Sequence, residues 1–205
     1  MHFRAFQQGD LPALTQIVRE TWEYDRFCSP KTADKLAKAY LYSCLAEQTY
    51  TQVALVNNIP AGIIMAKSAV AYHRSFLYEM KKAISVLDLL CSKEGRAVSQ
   101  VFTEVEKIDQ RLLQSCSPYD GELVFFAVSK ACRGMGIGKM LFQNAVNYMR
   151  SQKVSSFYLF TDTSCNYGFY EHQGMQRKTK QIYNMEMGKY TEKFEFYLYD
   201  YHFDL

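Results

Sequence analysis

One stretch of the chain, Glu122 to Arg150, constrains the fold more than any other: E-L-V-F-F-A-V-S-K-A-C-R-G-M-G-I-G-K-M-L-F-Q-N-A-V-N-Y-M-R. Its apolar run, Leu123 to Val128, is short and rich in β-formers, the pattern of a buried strand. A glycine-rich turn follows, Arg133 to Gly138. Apolar residues then recur at Ile137, Leu141, Ala145, Tyr148 and Met149, which predicts a helix that begins inside the turn. Strand, glycine turn and helix in that order gather unpaired backbone N–H groups and the positive helix end at one point, a seat for a phosphate. The glycines leave no Cβ between the backbone and the anion. No G-K-[S/T] follows four residues after a first glycine, so this is not a Walker loop. The G-x-G-x-G spacing, without an acidic residue about 20 residues on, does not fit a dinucleotide fingerprint. Taken alone, the turn is also what a tight connection packing a helix on a sheet would need.

A second stretch adds what the turn lacks. Ser156 to Thr161 reads as another short apolar strand. Thr163-Ser164-Cys165-Asn166 offers helix-capping residues, and N-Y-G-F-Y-E-H-Q-G-M follows from Asn166 to Met175. R-G-M-G-I-G resembles the R/Q-x-x-G-x-G/A pyrophosphate loop of the GNAT superfamily, the acyl-CoA-dependent N-acyltransferases. Phe169-Tyr170-Glu171-x-x-Gly174-Met175 resembles that family's F-Y-E-x-x-G-F segment. The two segments stand in the family's order and at its spacing, and together they are specific.

The resemblance implies a single α/β domain over residues 1–205, with a mixed central sheet flanked by helices. The N-terminal half fits that plan. His2 to Phe6 reads as a first strand. Asp10 is placed to cap a helix with Pro12 in its first turn; Leu14, Ile17, Val18, Thr21 and Trp22 share one face of it. Ser29-Pro30 breaks the chain before a second helix, Thr32 to Glu47. Thr51 to Asn57 and Pro60 to Ala69 read as a hairpin about Asn57-Asn58, a dipeptide that tolerates positive φ. After Met175, Gln176 to Asn184 and the aromatic Lys193 to Phe203 read as the last two strands, with Gly188 in their connection. Apolar groups at both parities of the latter predict that both of its faces are covered.

One segment departs from the plan. Residues 74–117 are far longer than a usual connection and carry two helical stripes, Phe76, Met80, Ala83, Ile84, Leu87, Leu90 and Cys91, then Val98, Val101, Val105, Ile108 and Leu112. With Ser92 to Gly95 separating them, they read as an inserted antiparallel helical hairpin just before the central strand. Its apolar faces need a partner: its own domain, an acceptor site it walls, or a second copy in a homodimer.

Composition excludes several classes. Net charge is +3 without a basic run, which does not favour a nucleic-acid partner. No apolar segment approaches the ~18 residues of a membrane span, and the N-terminus lacks a signal-peptide core. Six cysteines without C-x-x-C pairs suit reduced thiols in a cytoplasmic compartment. His2, His73, His172 and His202 show no ligand spacing, so no metal is expected.

The resemblance also assigns chemistry, residue by residue. Acetyl-CoA is the expected cosubstrate and a primary amine of a small molecule or peptide the expected acceptor. Arg133, Gly134, Met135, Gly136, Ile137, Gly138 and Lys139 correspond to the pyrophosphate loop. Phe126, Ala127 and Val128 correspond to the strand whose backbone pairs with pantetheine, with the Val128 N–H near the thioester oxygen as an oxyanion donor. Tyr170 matches the acid that protonates the thiolate. Glu122, at the start of the central strand, stands where some members carry a carboxylate base that takes the amine's proton through water; a strand-end salt bridge is its structural alternative. Many members carry an Asn seven residues before the Tyr. Here that position is Thr163, and Asn166, four before Tyr170 on the same helix face, is the expected substitute. A non-catalytic acyl-CoA-binding sensor would keep the loop but has no need of Tyr170 and Glu122.

Overall fold

The structure is a computed structural model, and it describes residues 1–116, 118–187 and 190–203. Seven strands form one mixed sheet: β1 (His2–Arg4), β2 (Tyr50–Val56), β3 (Ile59–Ser68), β4 (Gly121–Val128), β5 (Ser156–Asp162), β6 (Gln176–Met187) and β7 (Tyr190–His202), in the order β1-β2-β3-β4-β5-β7-β6. β4 and β5 are parallel; every other pair is antiparallel. The helix between β4 and β5 is α5 (Ile137–Ser151), a crossover of the kind parallel strands require.

The N-terminal helices are α1 (Leu11–Thr21) and α2 (Pro30–Glu47). Leu14, Ile17 and Val18 of α1 and Leu36, Leu41 and Leu45 of α2 bury against Val53, Ile63, Met65 and Phe125 of the sheet. α5 covers the opposite face, where Ile137, Leu141, Phe142, Ala145 and Met149 meet Ala66, Leu123, Phe157 and Tyr199. The spacing of these positions is the amphipathic pattern expected of each helix. Asn57 (φ 51°) and Asn58 (φ 63°) make the β2–β3 turn, as a short hairpin turn needs.

The segment expected to be an inserted hairpin forms α3 (Phe76–Leu90) and α4 (Lys93–Gln114). It turns at Cys91-Ser92 alone; Lys93 to Gly95, expected in the connection, already belong to α4. The Ser92 hydroxyl accepts the Gly95 N–H at 2.9 Å, an N-cap bond. A Cβ on Gly95 would lie 1.9 Å from the Leu89 carbonyl oxygen, so only glycine lets the two helices turn so closely. α3 lies along α2, where Lys35 pairs with Asp88 at 2.6 Å. α4 reaches the far strands: Ile108 and Leu112 pack with Met185, Phe196 and Leu198. Each such side chain contributes roughly 1.5–3 kcal/mol by leaving water. The outer stripe of α3, Phe76, Met80, Ile84 and Leu87, stays exposed.

Several local expectations are corrected. β1 stops at Arg4, short of Phe6. Asp10 makes no side-chain cap to α1; its carboxylate instead accepts both Arg4 guanidinium N–H groups at 2.7 Å and the Gln7 N–H at 2.8 Å. Pro30 is the first residue of α2 rather than a break, since a helix N-terminus does not need its missing N–H. Thr163 to Asn166 do not cap the next helix, α6 (Gly168–His172), whose N-cap position is Tyr167 and carries no side-chain cap bond. β6 and β7 outrun their expected lengths, and pair from Gln176↔Asp200 to Met187↔Tyr190. Gly188 lies outside the described residues. The aromatic β7 is covered on both faces: Tyr197 and Tyr199 face the α5 side, Phe196 and Leu198 face α4.

Candidate active site

The site begins where two neighbouring strands part. β4 runs to Val128 and β5 to Asp162, yet they pair only at Gly121↔Phe157 and Glu122↔Tyr158. Their paired ends are clamped by Asp120, whose carboxylate accepts the Ser155 and Ser156 N–H groups, each at 2.9 Å. Just beyond, the β3–β4 register skips Val124, a bulge between Leu123 and Phe125. A bulge bends its strand and steepens its twist, and β4 diverges from β5 from there on. Backbone groups turned toward β5 beyond this point have no strand partner. The Ser129 N–H donates to the Ala61 carbonyl on the β3 side at 2.8 Å. Alternation along an extended strand therefore turns the N–H groups of Phe126 and Val128 into the opening and gives that of Ala127 to β3.

The opening leads directly to the glycine turn. Gly134 (φ 81°) and Gly136 (φ 77°) hold left-handed backbone that L side chains rarely adopt. Gly136 is the N-cap of α5, and no side chain caps it there. The first N–H groups of α5 thus remain free for an anion, with the helix dipole behind them. Arg133 and Lys139 are exposed and make no ion pair among the described residues.

α6 closes the opening from the β5 side. Glu171 anchors it, accepting from the Tyr199 hydroxyl at 2.6 Å and from Arg177 at 2.8 Å. The Tyr170 ring meets Phe126 edge-on at 6.5 Å and Tyr199 at 6.1 Å. Burial, with the Cys165 and Asp162 groups, pushes its phenol well above the usual tyrosine range. It stays protonated at neutral pH, as a proton donor must.

One cavity of about 1240 Å³ joins these features. Of the expected site residues, Phe126, Ala127, Val128, Arg133, Gly134, Gly136, Ile137, Gly138, Lys139, Asn166 and Tyr170 line it. Met135 does not, because it points outward and is 52% exposed. Asn166 reaches the cavity from the loop before α6, not from the helix face it was expected to share with Tyr170.

Glu122 is not on the cavity wall either. It sits in the paired part of the sheet opposite Lys67 and Tyr158. Burial raises its pKa, while Lys67 and the Tyr158 hydroxyl pull it back. Among the carboxyls on the wall is Asp109 of α4. Burial and the Asp162, Glu122 and Glu106 carboxylates push it up to about 8. Sequence reading alone passed over Asp109, although one signal was present: an acid at helical spacing from Phe102 and Val105, on the margin of an apolar stripe. Trp22, Tyr24, Tyr40 and Phe102 also line the cavity.

Residues 12–175 match the Acetyltransferase (GNAT) family. The chain belongs to the GNAT acetyltransferase family. This GNAT enzyme shares its fold with proteins of low sequence identity. The ribosomal-protein-alanine N-acetyltransferase from Brucella melitensis is 14% identical, with 99% of this chain and 100% of that chain covered and a TM-score of 0.57. An N-acetyltransferase from Staphylococcus aureus Mu50 is 13% identical, with 98% and 97% covered and a TM-score of 0.53. No curated protein matches the chain by sequence. In this chain α4 forms one side of the cavity. No helix among the described residues is long and apolar enough to cross a membrane.

Proposed function

We propose that this enzyme transfers an acetyl group from acetyl-CoA to a primary amine by direct attack. The observation that carries the reading is the parting of β4 from β5 over an uncapped helix N-terminus, with Tyr170 beside it in the same cavity. The donor fits what is there. Its pyrophosphate would take the N–H groups at Gly136 to Lys139 and the charges of Arg133 and Lys139. Its pantetheine amides would pair with the Phe126 and Val128 backbone, completing a strand edge that the sheet leaves open.

With the donor so held, the thioester oxygen lies near the Val128 N–H, which stabilises the charge that develops there on attack. The amine nitrogen forms the new C–N bond, and the C–S bond breaks. The departing thiolate takes the Tyr170 proton, and the phenolate regains one from the nitrogen through solvent. The chain's six unpaired thiols suit a reducing compartment such as the cytoplasm.

The test is thiol release from acetyl-CoA, measured with and without a panel of small amines and N-terminal peptides. Amine-dependent release matched by amide product supports the reading. Acetyl-CoA binding without release for any amine would leave only a binding module.

A further inference from the structure

The α4 end of the cavity has its own chemistry, and its use as an acceptor site rests on the proposed transferase activity. Trp22 stacks on Phe125 at 5.5 Å and meets Tyr40 edge-on at 5.6 Å; Tyr24 meets Phe102 edge-on at 5.7 Å. All five rings line the cavity. Asp109 and Asp162 line it beside them, and no ion pair to a cation occupies either carboxylate among the described residues. Tyr24 is 3% exposed, and its hydroxyl has no hydrogen-bond partner among the described residues. A buried hydroxyl left in that state is costly unless something that enters the cavity satisfies it. Of the basic side chains on the wall, Lys130, Arg133 and Lys139 gather at the glycine-turn end, and Arg26 is paired with Glu23 at 3.0 Å and Glu192 at 3.9 Å.

We infer that the α4 end binds the acceptor as a cation: an alkyl or aralkyl primary ammonium ion whose charge sits at Asp109 and whose apolar body lies among Trp22, Tyr40 and Phe102. Aromatic faces attract an ammonium by their quadrupole, and carboxylates do so by charge; together they discriminate against neutral and anionic amines. Tyr24 supplies a hydroxyl to the same ligand.

Free Asp109 holds a proton at neutral pH; the arriving ammonium ion displaces it to solvent, and the carboxylate so formed then accepts a proton from the nitrogen. The ammonium gives it one proton and becomes the free amine, whose lone pair attacks the thioester carbonyl. The C–S bond breaks, the thiolate takes the Tyr170 proton, Tyr170 regains one from the nitrogen through solvent, and Asp109 is left protonated as it began. One amide, one thiol and one proton result. The groups facing Asp109 are Glu106 on α4, Tyr40 on α2, Glu122 on β4, and Asp162 and Tyr158 on β5. The carboxylates among them raise its proton affinity toward that of an amine, which an ordinary surface aspartate lacks.

The experiment compares phenethylamine, an ammonium ion at pH 7, with aniline, which is neutral there. Both are assayed on the wild type, Asp109→Asn and Asp109→Glu, with acetyl-CoA affinity measured by calorimetry on each. The expected result is a wild-type preference for phenethylamine. Asp109→Asn should lower kcat/KM for it by at least about tenfold and shift the acidic limb of its pH profile. Aniline turnover should change little, Asp109→Glu should recover part of the loss, and acetyl-CoA affinity should hold. That affinity shows the variants are folded. Equal use of both amines by the wild type, or an Asp109→Asn profile that matches the wild type, overturns the inference and leaves the transferase reading standing. A wild type that binds acetyl-CoA and acetylates no amine overturns both.

Discussion

The glycine-turn end of the cavity is made of backbone, contiguous within Ser129 to Lys139. The α4 end is made of side chains from the α1–α2 connection, α2, α4, β4 and β5. The first needs only a strand, positive φ at two glycines and a helix start, all encoded within a few residues. The second exists only once elements far apart in the chain have docked. The end made of backbone can therefore persist while the end made of side chains changes with the elements that dock there.

Substitutions can sharpen or break that contrast. Tyr170 stands between the ends, and its loss should be felt most. Tyr170→Phe is expected to lower kcat by about 100- to 10,000-fold, with acetyl-CoA affinity nearly unchanged, because the proton is needed only as the thiolate leaves. Steady-state kinetics at saturating substrates checks this, and unchanged turnover would remove Tyr170 from the chemistry.

Gly136→Asp acts on the backbone end. It adds a left-handed strain of about 1–2 kcal/mol and a negative charge beside the pyrophosphate. Acetyl-CoA affinity should fall about 100-fold or more by calorimetry. An undiminished affinity would move the donor elsewhere.

Ile108→Ala acts on the side-chain end. Ile108 is fully buried between α4 and the β6–β7 strands. The cavity left behind should cost about 3 kcal/mol of folding stability. Denaturant unfolding checks the cost; acetyl-CoA affinity of the folded fraction should stay the same. A matching loss of donor affinity would show that the two ends are not separable.

Asp109 makes the α4 end sensitive to pH. Its pKa rises from 3.8 in the unfolded chain to about 8 in the folded one. The folded state then holds the extra proton between those values, so stability contributed by this group falls as pH rises from about 4 to about 8. Asp109→Asn cannot titrate, and its Tm should gain on the wild type across that window. A Tm difference that stays flat with pH contradicts the shift.

Glu122→Gln should have the smallest effect of these, less than about tenfold on kcat/KM, since Glu122 reaches the cavity only through its charge on Asp109. A loss as large as that of Tyr170→Phe would restore it as the base.

The order of strands and helices was legible because each element carries its own periodicity, from Leu14, Ile17 and Val18 of α1 to the alternation of β7. The glycine turn and the helix start behind it were legible for the same reason: R-G-M-G-I-G is local. Asp109 was not, because nothing within α4 says that its neighbour in space is Asp162. Nor was the displacement of Glu122 from the wall, which comes from the bulge at Val124 and the point where β4 leaves β5. Caps were read wrongly where a side chain found a better partner, as Asp10 did in Arg4.

The central claim is that one cavity holds a CoA donor at the glycine turn and a cationic amine at α4, close enough to react. A bisubstrate compound, coenzyme A joined through an acetyl bridge to phenethylamine, tests it most directly by calorimetry. Both ends engaged at once should make it bind at least about 100-fold more tightly than coenzyme A alone, with the gain lost in Asp109→Asn. An affinity equal to that of coenzyme A would contradict the claim.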